Sequence, residues 1–446
     1  MLDNQTAAVG LLMLVLLLSA FAAMARYNVP QALAMPLVAC AFLGLQGYQA
    51  EGVLRRAFSH FADIAVLFTA VAVPAHMIDR SRAFQRLAAA FGRRVGILML
   101  CHPRAATPIL VGALLSSTYI LAALLHNVTS ILIVTPIIIR LCVRYELPSR
   151  WILSAALIAS NLGGFSTKWG DTPNIVESNI FGLVTGDFVR EVVPANLLVL
   201  LILAAVSIRL TKRTVIGQKA APAMAKPGFA HLVEVADRAS AYGREAADIA
   251  VDRWVLLVGL STLTGFIIFQ AIWPHLQIVI GALTILIAVL FDRHGDRLSS
   301  LKSLGYDVYV VLASIFVLAG CAENSWIGTY LQQVVKEAEA APWAIVLTGY
   351  LGTTFTEAAS WATAAASRIY PLDASHTAAW ALGGGICAGS SSIVTAASAG
   401  IILCEESRRL KEPDHIVTFR NYLPFGLPFS IFMLIFYTLY FSAVRY

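Results

Sequence analysis

Two polar segments interrupt long apolar runs in the first half of the chain, and both hold side chains that could bind ions. The first segment is His126–Ser130, with Asn127, Thr129 and Ser130 as its candidate ligands. The second covers 160–174, and its candidates are Asn161, Gly163, Gly164, Ser166, Thr167, Lys168, Asp171, Thr172, Pro173 and Asn174. Hydroxyl, amide and carbonyl oxygens are hard ligands suited to Na⁺. The N-terminus of a helix that resumes after a break favours an anion.

Lys168 and Asp171 are the charged residues of the second segment. A lysine deep in a membrane must pair, reach the interface or titrate. One interpretation is a static Lys168–Asp171 pair that braces the chain. The other is that Lys168 faces an anionic substrate or carries a coupling proton. Glu357, in an apolar region of the second half, is a proton-relay candidate for the same reason.

The composition requires a membrane around these segments. The 446 residues are 58% hydrophobic and 13% charged, and the mean hydropathy is +0.75. A soluble domain is about 45–50% apolar and roughly 25% charged. The net charge of +6 is not arranged as an aromatic and basic face, and the six cysteines lack ligand spacing. We therefore exclude nucleic-acid binding, a disulfide framework and a cysteine metal site, and predict a polytopic α-helical membrane protein.

The apolar runs divide the chain into two halves joined by a polar, cytoplasmic linker at 212–252. A membrane span needs about 20 apolar residues. Plain spans are predicted at 7–25, 29–50, 62–78, 191–211, 253–272, 276–291, 307–323 and 418–443. Each half adds a re-entrant helical hairpin and a broken helix: hairpins at about 106–143 and 342–372, broken helices at about 151–182 and 378–405.

The distribution of basic residues predicts opposite orientations for the halves, 1–211 and 253–446. An amphipathic arm at Asp79–Arg94 is rich in arginine, whereas the corresponding arm at Asn324–Ala341 holds a single lysine. Cytoplasmic segments carry the excess of Lys and Arg. The expected fold is therefore all-α, with two inverted repeats, an arrangement common in secondary transporters.

The polar segments resemble the ion transporter superfamily, which includes arsenite permeases, NhaD-type antiporters, citrate and dicarboxylate transporters and the P protein. The resemblance rests on an N-x-T hairpin tip at Asn127–Thr129 and a G-G to G-D-x-P-N stretch at Gly163–Asn174. The second half echoes it more weakly. Its candidate residues are Thr356, Glu357, Ser360, Thr363, Ser390, Ser391, Ser392, Thr395 and Ser398.

The resemblance implies a transport domain of hairpins and broken helices that moves against a scaffold of plain spans. It also implies a Na⁺ site with ligands from Asn127, Gly163 and Asn174. Trp361 and Gly400 stand about where the family has asparagines in the second half, so a symmetric second Na⁺ site is not expected.

Together these features predict a secondary active transporter of a small anion, of the citrate or dicarboxylate type, coupled to Na⁺ or H⁺ by alternating access. The alternative is a Na⁺/H⁺ antiporter or an arsenite-type efflux protein. An alternative from a different functional class is an ion channel or a non-transporting membrane scaffold. We expect no enzyme and no cofactor beyond the coupling ion. The expected partners are the anion and the bilayer of a bacterial inner membrane, and a homodimer is left open.

Overall fold

The computed structural model describes most of the chain. The described residues are 4–27, 29, 31–47, 50–83, 85–86, 89–90, 93–94, 97, 103–145, 147–217, 240, 248–273, 276–292, 306–323, 326–337, 341–355, 358–409 and 415–444. Most of the 212–252 linker, together with Thr356 and Glu357, lies outside them. All regular secondary structure in the described residues is helical.

The first half begins with three helices and continues with a hairpin, a broken helix and a long final helix. These are α1 (Asn4–Tyr27), α2 (Gln31–Gln46), α3 (Ala50–Arg80), α4 (Pro103–Leu125), α5 (Asn127–Tyr145), α6 (Ser149–Phe165), α7 (Thr172–Phe181) and α8 (Val193–Gly217). A π-helical turn at Phe188–Val192 leads directly into α8.

The second half also begins with three helices and ends with a hairpin, a broken helix and a long final helix, and it has one further described helix before its hairpin. Its helices are α9 (Arg253–Ile272), α10 (Gln277–Phe291), α11 (Tyr306–Glu323), α12 (Trp326–Glu337), α13 (Pro342–Phe355), α14 (Ala358–Ile369), α15 (His376–Ser390), α16 (Ser398–Arg409) and α17 (Phe419–Val444). The α13–α14 pair falls in the predicted second hairpin, and α15 and α16 are the two parts of the predicted second broken helix.

Long apolar helices with exposed hydrophobic faces show that the fold belongs in a bilayer. Among the described residues, four helical segments are long and apolar enough to cross a membrane, at Thr107–Leu124, Thr185–Lys212, Arg253–Gln270 and Phe419–Ala443. Their outer faces expose large side chains such as Leu201 (67%), Leu257 (61%) and Leu439 (66%). Water would penalise such surfaces, whereas lipid does not. The chain is an all-α polytopic membrane protein, as the composition predicts.

The helices of the two halves pack in matching ways. The first hairpin helix packs against the first part of the broken helix in both halves, α4 on α6 and α13 on α15. The second hairpin helix packs against the broken helices of both halves, α5 on α6 and α16, and α14 on α15 and α7. The long final helices α8 and α17 cover α6 and α15. Hairpins and broken helices therefore form one interlocked group, while the inverted orientation of the halves stays a prediction.

A second group of helices packs around α3, which contacts α9, α10 and α11. The group is closed by an ion pair between Arg80, the last residue of α3, and Asp292, which directly follows α10. Asp292 is buried, and a buried carboxylate needs such a partner. The family resemblance predicts that these helices belong to the scaffold, and this stays a prediction.

Small residues bring α13 and α15 unusually close together. A Cβ added to Gly349 would lie 2.7 Å from the Leu382 carbonyl oxygen, and one added to Gly389 would lie 2.6 Å from that of Tyr350. A Cβ on Gly385 would collide with the Val346 carbonyl oxygen. Apolar side chains gain little by leaving lipid, so membrane helices associate through such close backbone contacts. These glycines hold the hairpin tightly against the second broken helix.

We predict that the two amphipathic arms lie on opposite sides of the membrane. Arg86 and Lys336 are both exposed, so Arg86→Cys and Lys336→Cys, each in a background without the six native cysteines, should react with a membrane-impermeant thiol reagent from opposite faces. The measurement is labelling of right-side-out and inside-out vesicles. If both cysteines react from the same face, the inverted-repeat arrangement is wrong.

Candidate functional site

The tip of the first hairpin is a single non-helical residue. His126 separates α4 from α5 and has a φ of +90°, a left-handed conformation that costs free energy for a residue other than glycine. Its N–H still donates to the Ala122 carbonyl oxygen at 3.2 Å. The sequence predicted a polar interruption over 126–130, but the helix resumes at Asn127. Asn127, Thr129 and Ser130 therefore lie in the first turn of α5.

The first broken helix is interrupted by a turn at 166–171. Asp171 ends the turn by capping α7, since its Oδ1 accepts the Thr172 N–H at 2.9 Å, and Pro173 follows in the first helical turn. The Asn174 side chain reaches back across the break. Its Nδ2 donates to the carbonyl oxygens of Gly164 (2.8 Å) and Thr167 (2.7 Å). The break is thus held open by its own polar residues.

Hydrogen bonds join the hairpin tip to this break. The Asn127 N–H donates to the Gly170 carbonyl oxygen at 2.9 Å. The Thr167 hydroxyl donates to the Ala123 carbonyl oxygen at 2.8 Å. A Cβ added to Gly164 would lie 3.2 Å from the Asn127 Cβ, so glycine permits this approach. The structure therefore brings together the two polar segments that the sequence singles out.

Several oxygens at this junction are buried without a hydrogen-bond partner. They are Asn127 Oδ1, Thr129 Oγ1, Asn161 Oδ1 and, at the second break, Thr395 Oγ1. Ser130 and Ser160 are satisfied instead, because both hydroxyls donate to the Asn127 carbonyl oxygen, at 2.7 and 2.8 Å. Buried acceptors without partners are rare and costly in folded proteins, so these oxygens remain available to a ligand.

The three residues assigned to Na⁺ differ in how available they are. Asn127 Oδ1 is buried and has no hydrogen-bond partner. The Gly163 carbonyl oxygen accepts the Ser166 N–H at 3.0 Å, which leaves one of its two lone pairs. The Asn174 amide nitrogen is engaged across the break. Asn127 therefore fits a hard cation best, while Asn174 also has a structural role that the sequence pattern alone does not show.

Lys168 and Asp171 do not form the static pair considered from the sequence. Both are partly exposed, and no ion pair joins them within 4 Å. Their spacing of three residues would align them on a helix, but both lie in the non-helical turn. Lys168 thus places a positive charge at the break, a few residues before the N-terminus of α7.

The serines of the second break are largely satisfied by their own helix. Ser390 and Ser391 donate to the Cys387 carbonyl oxygen at 3.0 and 2.9 Å. The Ser392 hydroxyl donates to the Gly389 carbonyl oxygen at 2.5 Å and to Thr354 Oγ1 at 3.1 Å. They cap the end of α15. The remaining predicted residues of this half are placed as follows: Ser398 begins α16, Ser360 and Thr363 lie in α14, and Thr356 and Glu357 fall outside the described residues.

Asn161 connects the two breaks. Its Nδ2 donates to the Ser390 carbonyl oxygen at 3.2 Å and to Ser391 Oγ at 3.1 Å, although these residues are far apart in the sequence. Tyr422, on α17, donates its hydroxyl to the Ser391 carbonyl oxygen at 2.7 Å. Both helix breaks therefore meet in one buried polar region at the centre of the fold.

A buried network that sequence reasoning missed fixes the end of α6. Asn196 donates to the Leu162 carbonyl oxygen and to Ser166 Oγ, both at 2.9 Å. Ser166 also contacts the Tyr119 hydroxyl at 2.7 Å, and the Tyr437 hydroxyl donates to Asn196 Oδ1 at 2.7 Å. The available signal was a lone asparagine inside the apolar span 191–211, because an amide at that depth needs partners.

We predict that Tyr437→Phe lowers the free energy of unfolding by about 1–2 kcal/mol, because the buried Asn196 Oδ1 loses this donor. Tyr440→Phe is the matched control on the same helix. Its hydroxyl is only partly buried and donates over 3.3 Å to the Glu191 carbonyl oxygen, so its effect should stay below about 0.5 kcal/mol. Denaturation in mixed detergent micelles measures both. Equal losses would contradict the importance of the network.

Comparisons with known proteins agree with this architecture. The family described as citrate transporter matches residues 4–385. Magnetosome protein MamN of Paramagnetospirillum magneticum is 25% identical over 98% of this chain and 99% of its own length. An uncharacterised transporter of Mycobacterium tuberculosis is 31% identical over 48% of this chain, and the P protein of Mus musculus is 47% identical over 13%. The match spans less than half the length of the mycobacterial relatives.

Interlocked hairpins, broken helices and a polar junction within apolar helices define the class of protein as an all-α polytopic membrane protein. The match over residues 4–385 identifies the family. The chain belongs to the citrate transporter family, and the predicted resemblance to the ion transporter superfamily is confirmed.

Proposed function

We propose that this protein is a secondary active transporter of a small anion of the citrate or dicarboxylate type, coupled to Na⁺ or H⁺ by alternating access in a bacterial inner membrane. The observation that supports it most is the junction between the hairpin tip and the first helix break. Unpartnered buried oxygens, a helix N-terminus and a lysine converge there. A family described by citrate transport is consistent with this choice of substrate class.

The anion would bind at the break, near Lys168 and the N-terminus of α7. That helix spans ten residues, long enough for its N-terminal dipole to favour an anion. Lys168 is partly exposed and makes no ion pair within 4 Å among the described residues. Positive potential is screened weakly in a membrane interior. A carboxylate entering from water would find both contributions at one place.

The cation would bind at the hairpin side of the same junction. Asn127 Oδ1 and Thr129 Oγ1 are neutral oxygens of the type that coordinates Na⁺. Both belong to the first turn of α5, which touches the break through the Asn127 N–H. A cation there would lower the cost of placing an anion nearby, which is the physical basis for coupling the two.

Uptake into proteoliposomes tests the proposal. Purified protein is supplied with a panel of labelled anions that includes citrate and dicarboxylates, while Na⁺ and pH gradients are imposed separately. We expect one of these carboxylates to accumulate under at least one gradient. If no anion accumulates and a Na⁺ gradient instead moves protons, the protein is an antiporter and the proposed substrate class is wrong.

We predict that Asn127→Ala weakens the dependence of transport on the coupling ion, because it removes the unpartnered amide oxygen. Asn421→Ala is the control, since Asn421 caps the start of α17 through Thr418 and Ile416. The measurement is the initial rate against Na⁺ concentration and against pH. A wild-type response of Asn127→Ala to both would rule out this residue as a cation ligand.

We predict that Lys168→Met lowers the anion affinity by about tenfold, which corresponds to about 1.4 kcal/mol. Lys336→Met, on the exposed face of α12, should leave the affinity unchanged. Competition with a labelled anion gives the dissociation constant. An unchanged affinity and pH profile in Lys168→Met would show that this lysine does not face the substrate.

A further inference from the structure

Glu177 is a buried acid that none of the predictions above uses. It lies in the middle of α7, and its exposed fraction is 0%. Neither Oε1 nor Oε2 has a hydrogen-bond partner. Most buried carboxylates in proteins are paired or hydrogen-bonded, so the isolation of this group needs an explanation.

A glycine of the other broken helix makes room for this carboxyl group. A Cβ added to Gly383 of α15 would lie 2.8 Å from Glu177 Oε2 and would collide with the ring of Phe165. Glu177 therefore sits where α7 packs against α15, between the broken helices of the two halves. Motion of one broken helix relative to the other would open or close this pocket.

In the part of the chain that the structure describes, no positive charge pairs with the Glu177 carboxyl group. The charged and titratable residues on the helices packed against α7 are Arg368 of α14 and His376 and Cys387 of α15. None of them forms a hydrogen bond or ion pair with the carboxyl group in the described part of the chain. Burial is the main factor that disfavours a charged Glu177, and the carboxylate of Asp171, which caps the start of the same helix, adds to it.

The cost of ionisation makes the neutral acid the stable form in this packing arrangement. A charge without a partner in a low-dielectric interior costs several kcal/mol. A neutral carboxyl group costs far less, and it gains a charge only when water or a cation reaches it. Ionisable residues inside membrane proteins are expensive and mark proton relays and ion pathways.

We propose that Glu177 is the proton-binding site of the transport cycle. Its carboxyl group holds a proton while α7 packs against α15, and it releases that proton to water when the two helices separate. The assignment names the coupling ion left open in the proposed function and rests on that function. It gives the protein a proton site distinct from the oxygens of Asn127 and Thr129.

Infrared spectroscopy tests the protonation directly and independently of transport. The wild-type protein at neutral pH should show the carbonyl stretch of a protonated carboxylic acid, and Glu177→Gln should lack that band. Glu191→Gln is the control, since Glu191 is partly exposed and pairs with Arg190. Identical carboxylic-acid bands in wild type and Glu177→Gln would overturn the proposal.

Transport in proteoliposomes tests the role of that proton. Glu177→Gln should abolish the accumulation driven by a pH gradient and the proton flux that accompanies the anion, while anion binding is retained. Glu177→Asp keeps a titratable group and should restore part of the proton flux; anion binding by both variants confirms folding. Unchanged proton flux in Glu177→Gln would overturn the proposal. Absence of anion uptake by the wild type would instead overturn the proposed function. The two failures are distinguishable, because the infrared result does not depend on transport.

Discussion

Inside a bilayer every backbone amide and carbonyl must find a partner within the protein, and this requirement governs the two helix breaks. At the first break, Asn174 and Asp171 supply the partners that a continuous helix would have provided. The hairpin tip adds another through the Asn127 N–H. The bonds of Asp171 and Asn174 hold the break from within, and those of Asn127 and Thr167 tie it to the hairpin. The site and the fold are thus stabilised by the same contacts.

The two halves meet this requirement with different chemistry. The first break has an aspartate, a lysine and asparagines, whereas the second uses serine hydroxyls and the hydroxyl of Tyr422. These serine hydroxyls donate to carbonyl oxygens of their own helix. The second break therefore has fewer side-chain oxygens available to a ligand than the first. The helix packing of the two halves matches, but the side chains at the two breaks differ. This agrees with the absence of family asparagines at Trp361 and Gly400.

The sequence predicted the elements well because apolar length and polar interruptions are local features. The paired hairpin helices and both broken helices follow from such patterns. The structure changed details that depend on tertiary contacts. Asn127 begins a helix instead of continuing a loop, and Lys168 does not pair with Asp171, because the turn between them is not helical.

Contacts between distant segments could not be read from the sequence. Nothing near Asn196 in the chain indicates that it joins Ser166 to Tyr437. Glu177 reads locally as one acid on a short helix, and only the approach of Gly383 shows that it is enclosed without a partner. The sequence offered the same signal for both, a single polar residue within an apolar run. Such a residue must be hydrogen-bonded, lose its charge or bind a ligand.

Counterflow tests most directly whether the polar junction belongs to a carrier that alternates between the two sides. Proteoliposomes are loaded with the unlabelled carboxylate that supports uptake and diluted into a trace of the same labelled compound, without any ion gradient. An alternating-access transporter exchanges one for the other, so the label should rise transiently above its equilibrium level inside the vesicles. Simple equilibration of the label, with no overshoot and no dependence on the internal anion, would contradict the account.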